Sequence, residues 1–187
     1  MRTSKLQAVN ELLRVVGDSP VDSLESGLFQ AETAEAVLDR VSANVQMGDW
    51  DFNREDGLKL IPDANGEIVI APNVFRIDAT SRHIKTVQRG ARLYNKTTHS
   101  FVFTSPLEVS LAYCFDFEDL PEAARQYILV SAARKFQMEL LGSADMEKYT
   151  AEFEAKALAT LQNFDSDSAD YNIFDSDPES AFITNRD

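Results

Sequence analysis

Asp116, Glu118, Asp119 and Glu122 gather four carboxylates around Pro121, enough in principle to supply the acid/base pair that glycoside hydrolysis uses. Glu118 and Glu122 stand one turn apart only if a helix begins before Pro121. A helix that starts at the proline uses such acids at the positive end of its dipole, with no chemistry implied. A cell-envelope glycan hydrolase is therefore the alternative reading. Cys114 falls mid-strand in the apolar pattern, away from a helix N-terminus or a base that would favour a thiolate. His83 and His99 have no Cys or Glu nearby at metal-ligand spacing. Asp165-Ser166-Asp167-Ser168-Ala169-Asp170 opens like a calcium loop, yet Asp170 stands where the loop needs glycine and Ser176 where it needs Glu. No glycine-rich phosphate loop occurs among the seven glycines. These residues predict no catalytic group, no metal site and no cofactor.

Charge is more informative. The 187 residues carry 31 acids against 18 Lys and Arg, a net charge of −13, which speaks against a grip on nucleic acid through phosphate neutralisation. The signs are segregated. Arg76, Arg82, Lys85, Arg89, Arg92 and Lys96 face one acid, Asp78, between positions 76 and 96, whereas 11 acids and three bases occupy positions 145 to 187. Separate positive and negative districts permit head-to-tail association into rings or filaments, although charge runs also serve simply as solvated faces.

The elements that position these residues follow from periodicity. Leu6, Val9, Leu12, Leu13 and Val16 recur at helical steps, with Ser4 and Gln7 fitting a capping box and Gly17 a left-handed stop. Asp18-Ser19-Pro20 turns the chain. A second helix is expected from about Phe29 to Met47, ended by Gly48, followed by an extended segment in which Trp50 and Phe52 alternate with Asp49 and Asp51. Leu58–Ile61 and Glu67–Ile70 flank Pro62-Asp63-Ala64-Asn65-Gly66 as a hairpin. Val74–Ile77, Arg92–Asn95, Ser100–Phe103 and Leu107–Phe115 read as further strands, the last with a clean period of two. After Pro121 a buried helix carries Ala124, Ile128, Ala132, Phe136 and Leu140 on one face up to Gly142, and a fourth spans about Asp145 to Phe164. Beyond it, an acidic, Ser-rich tail holds Tyr171, Ile173 and Phe174 as an aromatic anchor.

The expected fold class is α+β: an antiparallel bundle of about four helices interrupted by an inserted antiparallel β-sheet subdomain. The divisions are 1–57 for the N-terminal helices, 58–117 for the β subdomain, 118–164 for the C-terminal helices and 165–187 for the tail. One cysteine excludes an internal disulfide, the first residues lack the apolar core of a secretory signal, and no run approaches the ~18 apolar residues of a membrane span. A soluble protein is expected, and the single cysteine is compatible with folding in a reducing cytoplasm without demanding it.

Three blocks carry a family resemblance: AVNELLRVVGDSPVDSLE at 8–25 with GDWDFN at 48–53, DFEDLPEAARQYILVSAARKF at 116–136, and DYNIFDSD at 170–177. In order and spacing they resemble the tail tubular protein A family, the adaptors of short-tailed bacteriophages. The resemblance implies a structural virion protein, made in the host cytoplasm. It further implies a dodecameric ring beneath the portal, joined to the nozzle (tail tubular protein B), helping to dock tail fibres and lining the DNA ejection channel without binding DNA specifically. Arg82, Lys85, Arg89 and Arg92 are then expected to face a neighbour, and Tyr171, Ile173 and Phe174 to meet the portal.

Overall fold

In the computed structural model, residues 2–48, 50–141 and 144–176 are described, the side chains of 141, 144–150 and 169–176 excepted. Gly142, expected to stop the third helix, lies outside them. The chain divides into two compact units, one formed by 1–45 with 116–187 and the other by 46–115. The fold is α+β.

The first unit holds α1 (Lys5–Val15), α2 (Phe29–Gln46, its last residue belonging to the second unit), α3 (Glu122–Leu141) and α4 (Ala144–Ser176). Both halves of the capping box form at α1: Gln7 N–H donates to the Ser4 hydroxyl, and the Ser4 N–H donates to the Gln7 side chain. At its other end Asp18 N–H reaches the Leu13 carbonyl and Gly17 N–H the Arg14 carbonyl, with Gly17 at φ 84, the paired bonds of a Schellman stop. Ala8, Val9, Leu12 and Leu13 are buried. Helix α3 packs on α1 and α4, burying Ala124, Ile128, Ala132 and Phe136 completely, as their four-residue spacing predicts. Leu140, expected on the same face, is 51% exposed.

Helix α4 runs past Phe164 to Ser176, through the first half of the segment expected to be a tail. Serine and aspartate there read as turn formers. In the helix, however, the Ser166 and Ser168 hydroxyls donate to the carbonyls four residues back, at Gln162 and Phe164, so they satisfy themselves without breaking the ladder. No proline intervenes before Pro178.

The second unit opens with a 3₁₀ turn at Asp51–Asn53, not the extended segment that the alternation of Trp50 and Phe52 suggests. The two rings instead stack, with centroids 6.2 Å apart. Strands β1 (Arg54–Leu60), β2 (Val74–Ala79) and β5 (Leu107–Tyr113) form an antiparallel sheet in the order β1-β5-β2, while β3 (Thr86–Arg89) and β4 (Arg92–Asn95) make a hairpin. The expected pairing of 58–61 with 67–70 does not form. The turn between them does: Asp63 Oδ1 accepts the N–H groups of Asn65 and Glu67, and Asp63 N–H bonds the Glu67 carbonyl. Its arms then part. Leu58 and Leu60 pair with Val109 and Leu107, whereas Ile68 and Ile70 bond to the β4 side through Leu93 and Ala91. Likewise Ser100–Phe103 contributes only isolated bridges. The apolar residues of these arms still share one core, Ile68, Ile70, Val74, Ile77, Leu93, Phe103, Leu107, Val109 and Leu111. Burial, not strand pairing, is what their hydrophobicity encodes.

Candidate functional site

The carboxylate cluster after β5 holds the start of the chain. Glu122 Oε2 accepts the Thr3 N–H at 2.9 Å and its Oε1 accepts the Thr3 hydroxyl at 2.6 Å and the Gln126 amide at 2.7 Å. Glu118 accepts the Lys5 N–H, one of the amides that the first turn of α1 leaves without a helical partner. Behind them the buried Arg125 guanidinium donates to the main-chain carbonyls of Leu120, Thr3 and Glu118. Burial pushes the Glu122 carboxyl up, but the hydrogen bonds from Thr3 and Gln126 outweigh it and hold the group below its ordinary range. A general acid for glycoside cleavage requires the opposite displacement. Asp116 and Asp119 are exposed.

Other chemistry-bearing residues are dispersed. His83 and His99 are both exposed. Cys114 lies one residue past β5, half-buried, its N–H bonded to the Asn73 carbonyl. Among the described residues no group of three His, Cys, Asp or Glu side chains could hold a metal ion. Nor, among the described residues, is any helix long and apolar enough to cross a membrane.

The basic segment is where the second unit builds a distinctive surface. Arg89 and Arg92 stand directly opposite each other across the β3–β4 hairpin. Like charges so placed repel. Two rings offset this: the Arg89 guanidinium lies 3.7 Å from the centroid of Tyr94, and that of Arg92 lies 4.4 Å from Phe101. Tyr94 and Phe101 meet edge to face at 5.0 Å. The order is cation, ring, ring, cation, with each guanidinium attracted by a ring quadrupole. Arg92 also pairs with Glu67 at 2.6 Å. Arg89, Arg82 and Lys85 make no ion pair among the described residues, and all three are exposed. Around them Val69, Val87 and Val102 are exposed at 66%, 37% and 50%. Of the four predicted basic contacts the structure thus brings Arg89 and Arg92 together and leaves Arg82 and Lys85 outside the stack. Tyr94 and Phe101 were missed by sequence reasoning, although the two-residue spacing of Arg92 and Tyr94 marked a shared strand face. The side chains of Tyr171, Ile173 and Phe174 lie outside the described residues.

A second polar cluster anchors the loop between α1 and α2. Asn10 uses both ends of its amide on Val21, donating to its carbonyl at 2.9 Å and accepting its N–H at 2.8 Å. Beyond this clasp Leu28 and Phe29 are 55% and 76% exposed at the head of α2.

Comparison with known proteins adds a family to this geometry. The family model described as "Tube: Tail tubular protein" matches residues 6–171. "Tail tubular protein A" of Klebsiella phage KP34 is 26% identical over 151 residues, 80% of this chain and 81% of that protein.

Proposed function

Because this chain belongs to the tail tubular protein family and is accordingly a structural component of a phage tail, we propose that it is the adaptor of that tail. In this reading about a dozen copies form a ring beneath the portal, join it to the nozzle protein, help to dock the fibres and surround the path of the ejected genome. The observation that carries the reading is the family match, which extends over nearly the whole chain and both of its units. The charge supports it. A ring of subunits each at −13 has a strongly negative lumen wherever that charge faces inward, and it repels DNA phosphates within about 8 Å at physiological salt. The genome then slides without sticking. The cationic hairpin with Arg82, Lys85, Arg89 and Arg92 faces a neighbouring protein, and the 171–174 segment meets the portal.

Mass photometry of the chain titrated onto the purified portal ring of the same genome tests this. A discrete step saturating at about one copy per portal subunit is expected. Absence of binding at micromolar concentration overturns the adaptor role, and replacing Tyr171, Ile173 and Phe174 with serine without loss of binding removes the portal contact from it.

A further inference from the structure

The loop and helix start at 17–32 form the chemical complement of the β3–β4 hairpin. Between Val15 and Asp39 there is no Lys or Arg, while Asp18, Asp22, Glu25 and Glu32 are all exposed and make no ion pair among the described residues. They share this segment with the exposed Leu28 and Phe29, and a depression of about 190 Å³ is lined by Leu13, Val21, Leu28 and Ala31 together with Asp18, Ser19 and Gln30. The knob is preorganised: Asn10 fixes the loop at Val21, and the Schellman stop fixes its entry. The hairpin presents the reverse pattern, two guanidiniums held in place by rings and flanked by exposed valines. Arg89, stacked on Tyr94 with no ion pair among the described residues, keeps its N–H edge available for a carboxylate with little side-chain freedom left to lose, while Arg92 shares its guanidinium with Glu67 at 2.6 Å.

We infer that the acidic knob of one copy, the loop that carries Asp22 and Glu25 and leads into the exposed Leu28 and Phe29, seats on the Arg89–Arg92 hairpin face of a second copy. Two different patches meet, so the contact is heterologous and propagates from copy to copy, as ring closure demands. The valines favour a protein over a nucleic acid, because phosphate backbones offer exposed apolar side chains nothing to bury. This contact deepens the ring reading above and rests on it.

The test is a charge-reversal cycle on the full chain, read by mass photometry and sedimentation velocity, alone and on the portal ring. Arg89→Glu with Arg92→Glu, and separately Asp22→Lys with Glu25→Lys, are each expected to weaken copy–copy association at least tenfold, and their combination to restore it to within about threefold. Phe29→Ser, an exposed site that leaves the core untouched, is expected to weaken association as well. Arg89→Gln with Arg92→Gln stands in if the reversed hairpin misfolds. Association by the parent with no recovery in the combined variant overturns this contact and leaves the ring standing. Recovery without a concentration-dependent mass places the pairing within one chain and likewise overturns it. A parent that fails to associate even on the portal overturns the ring itself. Loss of duplex DNA binding in the reversed hairpin, with association intact, assigns the face to nucleic acid instead.

Discussion

Gln46 and Phe115 hold each other across 69 residues: the Gln46 amide donates to the Phe115 carbonyl at 3.0 Å and accepts its N–H at 2.7 Å. These residues are the first and last of the second unit, so the clasp closes its neck. Asn53, 1% exposed, adds donations to the carbonyls of Gln46 and Tyr113. Gln46 is itself fully buried. Gln46→Leu keeps the volume and strands one donor and one acceptor of Phe115, a loss of about 2–4 kcal/mol at the usual cost of unmade buried bonds. Amide hydrogen exchange reports it directly: the Phe115 N–H should lose most of its protection in the variant. Retained protection shows that the clasp does not hold the neck.

Glu122 makes the anchoring of the N-terminus pH-dependent. Its carboxyl is held below its ordinary value of 4.5, so the stabilisation is complete above that value and is lost as pH falls through the depressed folded one. Glu122→Gln keeps a carbonyl acceptor for Thr3 but removes the charge. The parent should exceed the variant by about 1 kcal/mol at pH 7, a partly exposed group contributing less than a buried one. Thermal melts from pH 7 to pH 3 should show the two curves converging below about pH 4.5. A constant gap down to pH 3 contradicts the assignment.

What the sequence disclosed follows the range of the forces involved. The start and stop of α1 depend on Ser4, Gln7 and Gly17, all within a few residues of the bonds they make, and they were legible. The partner of β1 was not. The 62–66 turn forms locally, but whether its arms stay together depends on β5, some fifty residues downstream of β1, competing for Leu58 and Leu60. In α4 composition misled, because serine and aspartate disfavour helices on average while Ser166 and Ser168 bond backwards in this one. At the candidate surface the cations stood out as charge. Of the rings that organise them, Tyr94 shared a strand face with Arg92, but Phe101 was invisible, since it lies outside any strand and reaches Arg92 only through the tertiary fold.

Gly66 and Gly90 separate two reasons for a glycine. Both have positive φ, 77 and 63. At Gly90, the first central residue of the β3–β4 turn, a Cβ meets nothing within 4 Å. At Gly66 it falls 2.8 Å from Val102 Cγ1 and 3.2 Å from the Phe103 carbonyl oxygen. Gly90→Ala should cost about 1 kcal/mol from backbone strain alone. Gly66→Ala should cost about 2–3 kcal/mol, strain and overpacking together. Adding Val102→Ala should recover part of the second loss and none of the first, as urea midpoints can show. Equal costs at the two positions contradict the steric account.

The stack of Arg89, Tyr94, Phe101 and Arg92 should contribute more to order than to stability. Exposed cation–π pairs are worth about 0.5–1 kcal/mol each, so Tyr94→Leu, which keeps an apolar contact, should lower stability by no more than about 1 kcal/mol. Its effect on Arg89 should be larger in kind. With the ring gone and no ion pair to replace it, the guanidinium loses its platform and regains rotamer freedom, while Arg92 keeps Glu67 at 2.6 Å. Relaxation of the arginine Nε–Hε groups by NMR should therefore show Arg89 becoming mobile in Tyr94→Leu and Arg92 remaining ordered. Phe101→Leu should loosen Arg92 only partly, the ion pair persisting, and Glu67→Gln added to it should complete the release. If Arg89 is as mobile in the parent as in Tyr94→Leu, the ring does not position the cation, and the hairpin is an ordinary solvated face.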